Sequence, residues 1–186
     1  MPKSYQIRIA RLSPDEPRPD FDCGDADLNE FFREDSISAC SQLMAVTYAL
    51  FSRGEVVAYY CVSNDSIRKD LTSTTRFKKL QNLIPFREKR YSSMPAVKIG
   101  RFAVAKNRAR NGIGTELMSA IKYDFTHGNK TGCRFIVVDA YNKPEVIAFY
   151  QKNGFDFLTL NNENDKTRLM FFDLIQYVEL NSKQVP

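Results

Sequence analysis

The sequence predicts a mixed α/β fold: one central sheet with helices on both sides, built as a single domain over residues 1–186. Three observations predict it. Short β-branched runs alternate with stretches of helical apolar spacing, hairpin patterns stand near both ends, and one buried strand passes through a basic, glycine-containing turn into a helix. A length of 186 residues suits one core. With 43% apolar and 26% charged residues the composition is that of an ordinary globular chain.

Taken in order, Tyr5, Ile7 and Ile9 alternate with polar residues and predict a first strand ending at Leu12. Ser13 to Asp20 holds three prolines and reads as a loop. Asp25 is the expected N-cap of a helix whose apolar face is Leu28, Phe31 and Phe32, with a short second helix over Ile37 to Gln42. Ala45–Ser52 and Glu55–Val62 read as a hairpin across Arg53-Gly54. Residues 64–95 read as an irregular basic insertion with one helix at Thr75 to Leu83, cut off from the next strand by Pro85 and Pro95. Val97–Ala105 is the central strand, and Leu117, Met118, Ile121 and Phe125 mark one face of the following helix. That helix closes at His127-Gly128, so the only histidine reads as a helix-end residue. Arg134 to Ala140 is the next strand, Glu145 to Asn153 a helix stopped by Gly154, and Phe155–Leu160 with Arg168–Leu174 a final hairpin. Residues 181–186 read as a loose tail.

The chemistry concentrates at the turn after the central strand. The first amides of a helix lack intrahelical partners and carry the positive end of its dipole. Gly112 and Gly114 let backbone N–H groups approach a bound anion, with Arg108 and Arg110 adding charge. A bare G-x-G is also compatible with a plain tight turn. No G-x-x-x-x-G-K-[ST] or G-x-G-x-x-G motif is present, which excludes a P-loop and leaves a dinucleotide site unsupported.

Apolar runs are short and broken by charge, which excludes a transmembrane helix, and Met1 to Leu12 lacks the apolar core of a signal peptide. A cytoplasmic location is the expectation. Cys23, Cys40, Cys61 and Cys133 are widely spaced, so neither a disulfide framework nor a metal site is expected, and Cys61 and Cys133 read as buried thiols. Net charge is only +5, yet Arg68 to Arg110 hold 13 Lys/Arg against Asp70 and Glu88 alone. Such a block beside an anion-binding turn points to a polyanionic ligand, or reads as a solvated face.

The segment FAVAKNRARNGIG, followed by FIVVDAYNKPEVIAFYQKNGF, resembles the acetyl-coenzyme A signature of the GNAT N-acetyltransferases. That family's pyrophosphate loop reads Q/R-x-x-G-x-G/A. Here the frame is Ala109-Arg110-Asn111-Gly112-Ile113-Gly114, so both glycines match while Ala109 replaces the leading Gln/Arg. The resemblance covers nearly the whole chain. It implies a mixed, mostly antiparallel sheet whose two parallel central strands splay to admit the pantetheine arm. It also implies backbone contacts to acetyl-coenzyme A from Phe102, Ala103 and Val104. The loop residues Arg108, Arg110, Asn111, Gly112, Ile113, Gly114 and Thr115 would hold the donor's phosphates, with a further contact from Asn142. Tyr150 aligns with the tyrosine that protonates the leaving thiolate in family members; a phenol of ordinary pKa near 10 is protonated at pH 7. Phe149 and Tyr150 at a helix end also have a sufficient reason to be core.

A narrower resemblance is to the toxin branch of the family, which acetylates the α-amine of aminoacyl-tRNA. FDCGDADLNEFF, PAVKIGRFAV and VVDAYNKPEVIAFYQKNGF support it, with Arg101 matching that branch's strand arginine. It implies tRNA, a ribbon-helix-helix antitoxin and a homodimer as partners. No general base stands out, which favours an α-amine of pKa about 8 over lysine at about 10.4. A small amine or protein N-terminus as acceptor, or an inactive GNAT-fold binding module, are the alternatives.

Overall fold

The computed structural model describes residues 7–85, 91–159 and 163–182. Tyr5, Leu160 and the cations Arg87, Lys89 and Arg90 lie outside them. The expected class holds: a seven-stranded sheet in the order β1-β2-β3-β4-β5-β7-β6, accompanied by helices. The strands are β1 (Ile7–Arg11), β2 (Val46–Ser52), β3 (Glu55–Arg68), β4 (Ser93–Val104), β5 (Phe135–Tyr141), β6 (Asp156–Phe157) and β7 (Thr167–Asp173). The helices are α1 (Ala26–Glu30), α2 (Ser36–Ser41), α3 (Thr74–Asn82), α4 (Ile113–His127), α5 (Pro144–Lys152) and α6 (Leu174–Ser182). Contacts group these into two compact units, Met1–Ser63 with Ile99–Ala120 and Asn64–Lys98 with Ile121–Pro186.

In the first unit β1 pairs antiparallel with β2, and β2 with β3. Arg53 and Gly54 have φ of 55° and 87°, so the hairpin closes on the left-handed pair that matches strand twist. Asp25 caps α1 as expected, its carboxylate accepting the Leu28 N–H at 3.2 Å. α1 runs on through a π-helical turn, Phe31–Asp35, into α2, where sequence spacing predicted two separate helices. Within that turn the Ser36 hydroxyl donates to the Phe32 carbonyl at 2.7 Å. Phe32, 1% exposed, packs on Tyr59 with ring centroids 4.7 Å apart, beside Leu12, Ala49, Val56 and Ala103.

In the second unit β7 pairs antiparallel with both β5 and β6. Phe77 and Leu80 of α3 enter a core made by Ile67, Met94, Ala96, Phe135, Val137, Leu158 and Phe171. The helix expected at Thr75 to Leu83 is present as α3, while the other described residues of 64–95 are more regular than the insertion read in the sequence. β3 continues to Arg68 because Ile67 is buried there, and α3 is a core helix capped by the Ser73 hydroxyl. β4 also runs through Pro95, whose carbonyl accepts the Arg134 N–H at 3.0 Å; a proline lacks only the donor. The last strand ends at Asp173 and α6 extends over Asn181, where a loose tail was expected. Asp173, 3% exposed, nucleates that helix: Oδ1 accepts the Ile175 N–H, and the carboxylate is held by the Arg134 guanidinium at 2.7 and 2.8 Å. Among the described residues no helix is long and apolar enough to cross a membrane.

Candidate active site

In the first unit β4 delivers Phe102, Ala103 and Val104 to a sharp turn. Ala103 is buried in the Tyr59 cluster, while Phe102 and Val104 are half-buried. A 3-10 turn follows at Lys106–Arg108, with the Arg108 N–H donating to the Ala105 carbonyl at 2.8 Å. Arg110 takes φ 63°, Gly112 takes φ 82°, and α4 starts at Ile113. A left-handed residue immediately before a helix turns the chain sharply enough for its first amides to converge. Thr115 and Glu116 N–H groups both donate to the Gly112 carbonyl, at 2.9 and 3.0 Å, and so begin the helical ladder. Among the described residues, the N–H groups of Asn111, Gly112, Ile113 and Gly114 have no hydrogen-bond partner. A Cβ built on Gly112 meets no atom within 4 Å, so the need for glycine there comes from the backbone angle rather than from crowding by the protein.

The charges around this turn are sorted. Lys106 is committed: its ammonium meets the Asp22 carboxylate at 2.5 Å, and its N–H donates to the Asp22 carbonyl. Asp22 also accepts from the Asn29 amide and the Gly24 N–H, and with Lys106 as the largest cause its carboxyl is pushed down to about 2. Among the described residues neither Arg108 nor Arg110 forms an ion pair. Arg108, Ile113 and Glu116 wall one side of a mainly apolar cavity of about 350 Å³ whose other side is Ile7, Ile9 and Leu50. Arg101, upstream on β4, lies over the Phe31 ring at 4.9 Å.

Tyr150 and Asn142 belong to the second unit. Tyr150 sits in the last turn of α5 and is 7% exposed. The helix ends in a Schellman motif: Phe155 N–H donates to the Tyr150 carbonyl at 3.0 Å, Gly154 N–H to the Gln151 carbonyl at 2.9 Å, and Gly154 has φ 81°. The hydrophobic contact that accompanies this motif is between the Tyr150 and Phe155 rings, 5.3 Å apart and edge-on, with Phe149 against the other side of Tyr150. The tyrosine is thus fixed through both its carbonyl and its ring. Burial pushes the phenol pKa above its ordinary value, and among the described residues its hydroxyl has no hydrogen-bond partner. At neutral pH the side chain is therefore a protonated phenol.

Asn142 follows β5, and its side-chain amide donates to the Glu163 and Asp165 carbonyls at 2.8 and 3.0 Å while its N–H donates to Lys166. Its donors tie down the loop before β7. Sequence reasoning overlooked Lys122, on the buried face of α4 at 7% exposure. Its ammonium donates to the Asn153 carbonyl at 2.6 Å and lies 3.8 Å from the Phe172 ring centroid. Burial pushes its pKa down to about 8. Position 122 directly follows Ile121 in the apolar pattern, a faint signal that a lysine there is enclosed.

Residues 80–156 match the family model described as an acetyltransferase (GNAT) domain. Solved structures of similar fold include a tyrosine-to-phenylalanine mutant of KacT, at 25% identity and TM-score 0.74, over 94% of this chain and 99% of that one. Another is AtaT complexed with acetyl-methionyl-tRNAfMet, at 24% identity and TM-score 0.73, over 95% of this chain and 99% of that one. A third is a tyrosine-to-phenylalanine mutant of the AtaT toxin bound to the C-terminus of the antitoxin AtaR and acetyl-CoA, at 22% identity and TM-score 0.70, over 96% and 99%. The family match spans the turn, the helix after it and the tyrosine described above, and the fold of this chain is similar to that of these toxin structures over nearly its whole length.

Proposed function

We propose that this chain transfers the acetyl group of acetyl-coenzyme A to the α-amine of an aminoacyl-tRNA, with Tyr150 as the general acid. The observation that carries the donor side is the turn from Arg108 to Gly114. Four N–H groups at a helix start without a hydrogen-bond partner and two arginines without an ion pair, among the described residues, are the donor set a pyrophosphate requires. Asn111, Gly112, Ile113 and Gly114 would hold it through backbone, Arg108 and Arg110 through charge, and Thr115 through its hydroxyl. Ala109 supplies no side-chain contact. Phe102, Ala103 and Val104 would align the pantetheine amides as an added strand does. Asn142 is the weakest member of the proposed set, since its amide is already engaged.

The donor supplies an activated acetyl thioester. Tyr150 then acts at a single point, giving its O–H proton to the sulfur as the C–S bond breaks and the amide bond forms, while the amine's surplus proton passes to water. Burial keeps that phenol protonated across the working pH range. Two of the similar structures are tyrosine-to-phenylalanine mutants, which supports a tyrosine in this role.

The acceptor reading rests on three supports. One similar protein is seen with an acetylated aminoacyl-tRNA. The exposed Lys69, Lys78 and Lys79 form no ion pair among the described residues and suit phosphates. An α-amine of pKa about 8 also needs little help from a base. A ribbon-helix-helix antitoxin and a second copy of the chain are the protein partners this reading expects. The test is Tyr150→Phe with acetyl-coenzyme A and charged tRNA. Turnover should drop by about 100-fold or more with donor affinity retained; wild-type turnover in the mutant would remove Tyr150 from the mechanism.

A further inference from the structure

We infer that Lys122 is a positioning residue for Tyr150, its ammonium clamping the Asn153 carbonyl and thereby locking the helix end that holds the tyrosine. The inference rests on Tyr150 being the general acid. The end of α5 has more carbonyls than its Schellman motif can satisfy. Phe149 receives the Asn153 N–H and side-chain amide, Tyr150 receives the Asn153 and Phe155 N–H groups, and Gln151 receives Gly154. The Asn153 carbonyl, at the negative end of the helix dipole, is left to Lys122 at 2.6 Å.

The clamp is held from a second side. Phe172 of β7 carries the ammonium 3.8 Å from its ring centroid, and a Cβ at Gly154 would come within 3.0 Å of the same ring. Phe172 also packs on Phe155 at 5.6 Å, and Phe155 packs on Tyr150. Lys122 thus touches both routes by which Tyr150 is fixed: the backbone through Asn153 and the ring stack through Phe172 and Phe155.

What separates this role from plain stabilisation is the cost of the group. Among the described residues no carboxylate forms an ion pair with Lys122, and the side chains at its head are Phe155 and Phe172. A buried ammonium without a counter-charge lowers the stability of the fold, so a methionine of similar length would serve stability as well or better. The ammonium is then explained by what it positions.

Lys122→Met keeps the stem and removes the charge and the donor. The expected result is a kcat about tenfold lower, an unchanged KM for acetyl-coenzyme A, and a melting temperature equal to or above wild type. In a Tyr150→Phe background the same substitution should lower the residual rate by less than about twofold, because the group it positions is gone. Unchanged kcat in Lys122→Met would overturn the proposal, as would a melting temperature that falls along with turnover, or an equal fractional loss in both backgrounds. Tyr150→Phe alone, measured first, tests the acid assignment: wild-type turnover there removes the premise whatever Lys122→Met does.

Discussion

The enclosed lysine makes a prediction about stability whose sign runs opposite to the usual one for a cation. An unfolded chain keeps the Lys122 proton up to about 10.5, whereas the folded chain releases it near 8. Between those values the unfolded state binds more protons, so stability contributed at this site rises with pH from about 8 to 10.5 and is flat below. A shift of this size corresponds to about 3 kcal/mol. The bond to Asn153 and the Phe172 ring favour the charged form, so the recoverable part is about 2 kcal/mol. The assay is denaturant unfolding of wild type and Lys122→Met at pH 7.5 and pH 10. Subtracting one from the other removes the thiols and the buried phenol, whose raised pKa values lower stability at the alkaline end in both chains alike. Wild type should gain about 2 kcal/mol on the mutant over that interval. A difference that stays constant with pH would refute the reasoning, because it would mean that the ammonium is not desolvated.

Three further outcomes are expected. Gly112→Ala forces a side chain into φ 82° at a cost of about 1–2 kcal/mol, so calorimetry should find acetyl-coenzyme A bound roughly tenfold more weakly, with the melting temperature lowered by a few degrees. Gly154→Ala combines φ 81° with a 3.0 Å approach to Phe172 and should destabilise the fold by about 2–3 kcal/mol in denaturant titrations, turnover falling with it. Binding of charged tRNA should weaken roughly fortyfold between about 50 and 200 mM salt if Lys69, Lys78 and Lys79 each meet a phosphate, and the triple alanine variant should flatten that slope.

The parts legible in the sequence are those fixed by neighbouring residues. Arg53-Gly54 announced a hairpin because two left-handed residues are enough to close one, and Gly154 announced the end of α5 for the same reason. Gly112, with the basic turn before it, announced the sharp left-handed entry into α4. What escaped is set by partners far along the chain. The polar run Ser63-Asn64-Asp65-Ser66 hid the continuation of β3, which is held by the burial of Ile67 against Phe77 and Phe135. α6 starts on Asp173, whose cap geometry depends on Arg134, 39 residues earlier. Lys122 was overlooked because Asn153, Phe155 and Phe172, which meet its ammonium, lie far along the chain. The Asn142 amide closes on the Glu163 and Asp165 carbonyls, contacts that no local pattern encodes.

The most direct test of the central claim is transfer of label from acetyl-coenzyme A to a pool of charged tRNA, with deacylated tRNA as control. Label should appear on the charged pool alone, be lost when the aminoacyl ester is hydrolysed and be strongly reduced with Tyr150→Phe. Label absent from charged tRNA while acetyl-coenzyme A still binds, or label equal in both pools, would contradict an α-amino acceptor.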